Sequence, residues 1–394
     1  MITPVQMHRR KNRVIEMNEK EIGELRRRIR RDRSNMTSIY GCYVNGQKEI
    51  VSSFCQSVGM MPENEAEKYF GTMKRTLSGT IGKNLLDISF KTSQVADSQE
   101  HKFLMQLRQG GLKDDDLRMQ LFRKIIDSVS FDESFLILVG CDHYDVPFKS
   151  KDDQVQADNS SEVFTYLLCA ICPVKQTKPD LRYDPQEKEF HDGGIAQVVS
   201  APEMGFLFPA FDGRSTNIYN ALFYTRNTKV AHDELIDTLF CVAAPKPAAE
   251  QKKSFEALLT TALDNECNFE VVQTVHDELR RSIDMHKESK VPDPLLISKE
   301  QVKCALQSCG ISEKHVAKFS VDYDTVFGMD AQLHPKNIID NRKFEIVTPD
   351  VSIKVNPERS DLIETRVIGG VKYILICADE NVEVNGVNIH IDEE

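Results

Sequence analysis

Asp142-His143-Tyr144-Asp145 sets two carboxylates around an imidazole, just after the unbroken apolar run Phe135 to Val139. These are the donor types of a cation site and of metal-assisted hydrolysis, and polar ends of strands often carry chemistry. Asp152 and Asp153 lie a few residues on. Asp142, His143 and Asp145 are therefore the candidate catalytic residues. No partner for them stands at a fixed spacing, and a plain polar strand end accounts for the same letters. A second chemistry-bearing segment is basic. Arg26, Arg27, Arg28, Arg30, Arg31 and Arg33 are six arginines within eight residues. Residues 1–33 hold 11 Lys and Arg against 5 Asp and Glu, a net charge of +6, whereas the remainder holds 39 against 56, a net of −17. A basic arm on an acidic body touches polyanions or docks onto acid. These six are the candidate nucleic-acid-binding residues. Arg214 joins them if Asp212-Gly213-Arg214-Ser215-Thr216 opens a helix, whose first amides attract anions.

Other motifs stay open. Cys169-Ala-Ile-Cys172 is a lone CxxC inside an apolar strand. Zinc sites need a second ligand pair, and residues three apart on a strand point to opposite faces. Core packing is the better reading. Ser78-Gly-Thr-Ile-Gly-Lys83-Asn84 falls short of a phosphate loop: Gly79 and Gly82 stand too close, Asn84 replaces the hydroxyl, and a strand follows. The ten histidines are dispersed, and His191-Asp192 before Gly193-Gly194 suggests a loop. The sequence thus calls for no metal and no cofactor.

The elements that must hold these residues read as follows. Asn18 is a fair N-cap with Glu21 three residues on, as in a capping box. Ile22, Leu25 and Ile29 form a narrow apolar stripe, and Glu24 can pair with Arg28. Strands at 39–44 and 50–54 flank Asn45-Gly46, a tight-turn signal. A helix follows with Pro62 in its first turn, a buried face of Ala66, Tyr69, Phe70, Met73 and Leu77, and Gly79 at its end. A short strand at 85–90 and helices near 98–108 and 114–129 come next. The apolar runs 135–139 and 163–171 read as central strands covered on both faces, joined by a polar, mobile loop from Lys149 to Ser161. Another strand covers 206–211. Helix and strand patterns overlap at 215–226. A helix spans Leu235 to Phe240.

Ala243-Ala244-Pro245-Lys246-Pro247 is the best linker. Helices near 249–263, 270–288, 298–308 and 312–326 follow. Strands at 343–347, 350–355, 362–368, 371–377 and 387–391 close the chain, with Gly369-Gly370 and Asn385-Gly386 as hairpin turns. The fold class is α+β. The expected organisation is a patternless, disordered extension over 1–16, with Met17 a possible natural start; a main domain over 17–245 with its basic N-terminal helix; a helical connector over 246–291; and a β-rich module over 292–394.

The composition, 40% hydrophobic and 28% charged, is that of a folded protein. Ten scattered cysteines, mostly in apolar runs, suit a reducing, cytoplasmic compartment rather than a secreted disulfide scaffold. No segment has the apolar length of a membrane span, and the N-terminus lacks a signal-peptide core.

The stretches GCYVNGQKEIVSSFCQSVGMMPENEAEKYF (41–70), LSGTIGKNLLDISF (77–90), YDVPFKSKDD (144–153), EMGFLFPAFDGRSTNIYNALFYTRN (203–227) and TPDVSIKVNPERSDLIETRVIGGVKYILICADENVEVNGVNI (348–389) resemble an uncharacterised bacterial family known only as a domain of unknown function. The likeness runs from about residue 17 to the C-terminus. It implies a bacterial cytoplasmic protein and no assigned activity. A more distant likeness, in element order and at Gly213-Arg214 with its flanks, is to bacterial nucleoid-associated proteins, which implies association with double-stranded DNA. The expected function is a non-enzymatic interaction protein, with double-stranded DNA or an acidic protein as partner. The alternatives are a metal-assisted hydrolase at the end of strand 135–139, and a scaffold whose basic helix docks on an acidic partner or on its own body. The oligomeric state stays open.

Overall fold

An apolar strand without polar alternation needs cover on both faces, and Phe135 to Val139 receives it. The computed structural model describes residues 17–149, 155–329, 331–340, 343–378 and 382–390. The expected extension over 1–16, with Asp152 and Asp153, lies outside them. Two compact units form: one runs up to Ala248 and includes Pro292–Pro294, and the other joins Ala249–Val291 to Leu295 onward.

The first unit opens with helix α1 (Glu19–Arg28) and the hairpin β1 (Ser38–Val44) and β2 (Ile50–Ser57). The hairpin turn is the five residues 45–49: the Asn45 side chain accepts from Gln47 N and Glu49 N, and Lys48 takes the positive φ. Helix α2 (Glu63–Lys74) starts from Pro62 as N-cap and buries Ala66, Phe70 and Met73. Then come β3 (Leu85–Ser89), a short α3 (Thr92–Asp97) that the sequence pattern did not announce, α4 (Gln99–Gln109) and α5 (Asp115–Ser128). Strands β4 (Phe135–Lys149) and β5 (Val155–Gln176) are far longer than their apolar cores. They pair antiparallel from Phe135↔Pro173 to Lys149↔Val155, with register shifts around Pro147, which has no N–H to give. The expected polar loop is thus strand at both ends, and 150–154 lies outside the described residues.

The small strands β6 (Leu181–Asp184), β7 (Glu189–Asp192) and β8 (Gln197–Val199) lead to β9 (Met204–Phe208), β10 (Ala210–Asp212), β11 (Ser215–Asn217) and β12 (Asn220–Thr225). The ambiguity at 215–226 resolves as strand. Asp212 pairs with Ser215 across a turn whose two central residues, Gly213 and Arg214, have φ of 58° and 57°. Two left-handed residues in a row make a hairpin turn. Arg214 therefore does not sit at a helix start, and the anion-binding geometry expected for it is absent. Helix α6 (Asp233–Phe240) completes the unit.

The main sheet runs β2-β1-β4-β5-β9-β12-β3, every pair antiparallel, with β8 also on β5. One face packs Phe135, Ile137, Val139, Cys169 and Ile171 with α4, α5 and α6. The other packs Leu136, Leu138, Tyr166, Ala170 and Cys172 with Ile22 and Leu25 of α1 and Phe70 and Met73 of α2. The class is α+β.

The second unit holds α7 (Ala248–Leu263), α8 (Phe269–Ser289), α9 (Lys299–Ser308), α10 (Glu313–Phe327) and the short α11 (Pro335–Ile338). One core joins Phe255, Leu279, Ile283, Leu306 and Phe319. The segment 246–291, read above as a connector, supplies two of its helices. Three hairpins follow: β13 (Phe344–Val347) with β14 (Ser352–Val355), β15 (Ile363–Ile368) with β16 (Val371–Ile376), and β17 (Val382–Val384) with β18 (Val387–Ile389). Gly369-Gly370 and Asn385-Gly386 turn two of them, all four residues at positive φ.

Candidate functional site

Helix α1 brings the arm to the sheet. Asn18 accepts from Lys20 N and Glu21 N, and the Glu21 carboxylate accepts from Asn18 N at 3.0 Å, which closes the capping box. Ile22, Leu25 and Ile29 are buried. Their burial fixes the helix rotation and aims Glu24 and Arg28 at the end of β4. Gly140 makes room for the following chain: a Cβ there would collide with Met36 Sδ.

Asp142 lies at the centre, 0% exposed. Its Oδ1 accepts from Asn35 N and from His143 N, both at 2.8 Å, and its Oδ2 accepts from Tyr166 Oη at 2.9 Å. Arg28 supplies the countercharge, Nε 3.3 Å from Oδ2 and Nη2 3.4 Å from Oδ1. Arg28 Nη2 also donates to His143 O at 2.8 Å, and its guanidinium sits 4.5 Å from the Tyr144 ring centre. Both carboxylate oxygens are engaged, as a buried charge requires.

A second ion pair stands beside the first. Glu24 accepts from Arg214 Nε at 3.1 Å and Nη2 at 2.9 Å, a forked pair, and from Tyr144 Oη at 2.6 Å. Arg214 Nη1 donates to Pro147 O at 2.9 Å, and its backbone N–H reaches Glu21 Oε1 at 3.3 Å. These bonds hold a non-glycine residue in the left-handed region. Glu24 and Arg28, expected to pair with each other, instead take Arg214 and Asp142. Burial pushes the Tyr166 hydroxyl well above its usual range, with Asp142 adding to it. Burial and Glu24 push Tyr144 up to about 12. Both phenols are proton-bearing donors. Burial raises Glu21, while the Glu24 hydrogen bond raises Arg214.

The structure brings together Arg28, Arg214 and Asp142, three residues that the sequence offered for separate reasons. It does not bring His143 and Asp145 to Asp142. Neighbours on a strand face opposite sides, so His143 and Asp145 turn away together and are exposed. His143 Nδ1 lies 2.9 Å from Thr165 Oγ1. Among the described residues no group of three or more His, Cys, Asp or Glu is placed to hold a metal ion. Cys169 and Cys172 are buried on opposite faces of β5. Tyr166 is the network member that local sequence did not single out, and Glu24 and Tyr144 were named there without these partners. Tyr166 is hidden inside an apolar run, and the Glu24–Arg214 contact spans 190 residues.

Arg26, Arg27, Arg30 and Arg33 are exposed and Arg31 is half-buried. Arg30 and Arg33 flank Asp32 at 3.0 and 3.8 Å. An open groove of about 490 Å³ runs along α1, lined by Asn18, Lys20, Glu21, Glu24, Arg27 and Arg214. Its walls carry both signs of charge.

A family model described as "Domain of unknown function (DUF4317)" matches residues 17–387. The chain belongs to that family. No curated protein and no solved structure matches it. The comparisons show this family and not the likeness to nucleoid-associated proteins. Among the described residues no helix is long and apolar enough to cross a membrane.

Proposed function

We propose that this is a non-enzymatic interaction protein of the bacterial cytoplasm that presents a fixed basic surface to double-stranded DNA. One observation carries the reading. Helix α1 spends its apolar stripe and Arg28 on its own body and leaves Arg26 and Arg27 exposed, and the turn after it leaves Arg30 and Arg33 exposed. Arginines carried on a docked helix and the turn that follows it meet phosphates on a backbone that is already ordered. Contact would be electrostatic and blind to sequence. The body's net negative charge limits the footprint to this local surface.

The test is duplex binding at two salt concentrations, with the full chain and with Arg26, Arg27, Arg30 and Arg33 all changed to Gln. Removing residues 1–33 would also remove core residues Met17, Ile22, Leu25 and Ile29, so substitution is the cleaner change. Affinity should fall with salt by about 0.9 log units per log unit for each phosphate neutralised. The quadruple variant should flatten that slope. Absence of wild-type binding at low salt, or binding unchanged in the variant, sinks the reading. The observation also suits an acidic protein partner, and competition by an acidic polypeptide but not by DNA would select it.

A further inference from the structure

The hairpin β15–β16 is apolar and bare. Its register puts Ile363, Thr365 and Val367 on one face with Ile376, Ile374 and Lys372. On that face Ile363 is 3% exposed, at the covered start of β15, while Val367 is 68%, Ile374 37% and Ile376 58% exposed. The other face holds Glu364, Arg366 and Ile368 with Leu375, Tyr373 and Val371. Among the described residues no third strand joins this sheet. A lone two-stranded hairpin is marginal in water, and its outer edges present unpaired backbone groups. The direction of those groups can be worked out. Cys377 N donates to Leu362 O at 2.8 Å. Bonded positions alternate along an antiparallel pair, so Leu362, Glu364, Arg366 and Ile368 bond inward to β16. Thr365 and Val367 turn their N–H and C=O groups outward, and so does the Ile363 carbonyl, while the Ile363 N–H is already taken by Ser360 O.

We propose that the outer edge of β15 pairs antiparallel with the same strand of a second copy of this chain, about a two-fold axis at Thr365. The side chains select this register. A slip of one residue would set the apolar face of one copy beside the charged face of the other. A slip of two would set Glu364 against Glu364, or Arg366 against Arg366, and like charges directly opposite repel. With Thr365 facing Thr365, Glu364 opposes Arg366 twice, and Ile363 opposes Val367 twice. Thr365 N–H and C=O then pair with those of the other Thr365, and each Val367 N–H meets the Ile363 carbonyl of the other copy. Edge strands commonly carry charge to keep copies apart. Here the two charges are opposite in sign and already pair within one chain at 2.7 Å, so they penalise the wrong registers and match in the right one. The product is a four-stranded sheet that gathers Ile363, Val367, Ile374 and Ile376 of both copies on one face.

Sedimentation velocity of the full chain tests this with wild type, E364R, R366E, the double exchange E364R/R366E, and an equimolar mixture of the two single variants. Wild type should self-associate. Each single variant turns two attractive pairs into like pairs and should weaken assembly by roughly 30-fold. The double exchange should restore it. So should the mixture, because each copy supplies the sign the other lacks. Recovery in the mixture shows that the single variants are folded. T365P removes an outward N–H and leaves the bonds to β16 alone, so it should also give monomer. A monomeric wild type, single variants that assemble like wild type, or a mixture that stays apart would each overturn the proposal.

Discussion

Leu136-Ile137-Leu138-Val139 in β4 and Tyr373-Ile374-Leu375-Ile376 in β16 are near-equivalent as strings of letters and opposite in surroundings. The first four are between 0% and 7% exposed, while Tyr373, Ile374 and Ile376 are 43%, 37% and 58% exposed. Both segments have the β-branched, aromatic and aliphatic character that suits a pleated surface. The difference lies in what the rest of the chain supplies. Seven strands and helices on both faces surround β4, whereas β16 has one neighbouring strand. The covered sheet can also hold a buried charge, because Arg28, Asn35 and Tyr166 all reach Asp142. In the bare hairpin the charges stay at the surface, where a pair contributes little to stability and serves mainly to choose a partner.

Breaking the covered region should have the largest effect. Asp142→Ala leaves the Arg28 charge, the Tyr166 hydroxyl and two backbone N–H groups without their acceptor. Loss of one member of a buried ion pair costs roughly 3–5 kcal/mol, so the urea midpoint should fall sharply. Asp145→Ala, three residues away and exposed, should stay within about 0.5 kcal/mol of wild type. Equal losses at the two positions would mean that the Arg28–Asp142 contact does not hold α1 to the sheet.

The next comparison is of like with like. Ile137→Ala opens a cavity at a fully buried site and should cost roughly 2–5 kcal/mol. Ile376→Ala removes the same atoms from a side chain already 58% exposed, and should cost less than about 1 kcal/mol in denaturant unfolding. A loss at Ile376 matching that at Ile137 would show that the hairpin is covered in solution by more than an edge partner.

Much of this contrast was legible in the sequence, and the part that was not is instructive. Capping at Asn18–Glu21, the apolar stripe of α1, the cover on both faces of β4 and the opposed directions of Cys169 and Cys172 all follow from contacts or periodicities within a few residues. The glycine-marked turns of the C-terminal hairpins are equally local. What escaped was long-range or hung on one dihedral. Glu24 prefers Arg214, 190 residues distant, to Arg28 four residues along. The apolar stretch after Arg214 has a helical pattern as well as a strand pattern, and the positive φ of Gly213 and Arg214 decides for strand. Pro147 hides the continuation of β4, because proline ordinarily ends a central strand and here sits at a register shift. Asp142 and His143 look like a pair in one dimension, and the two-residue strand repeat turns them apart.

The mildest prediction leaves stability alone and reads cover directly through thiol chemistry. Burial pushes Cys141 and Cys172 up to about 12 and Cys42 up to about 11, and raises Cys169 further. The thiolate is the reactive form. At pH 8 a thiol at about 12 is ionised in roughly one molecule in ten thousand, and in the covered sheet the reagent cannot reach it. Cys377, immediately after β16, is exposed, as are Cys55, Cys241 and Cys304. With a thiol reagent in excess, these four should label in the native protein. Cys42, Cys141, Cys169 and Cys172 should label only after denaturation, which peptide mapping resolves site by site. Raising the pH toward 9 should leave the buried four silent, because access and not ionisation alone limits them. Native labelling of Cys172 would mean that the sheet opens on the reaction timescale. Protection of Cys377 would mean that the end of the bare hairpin is covered after all.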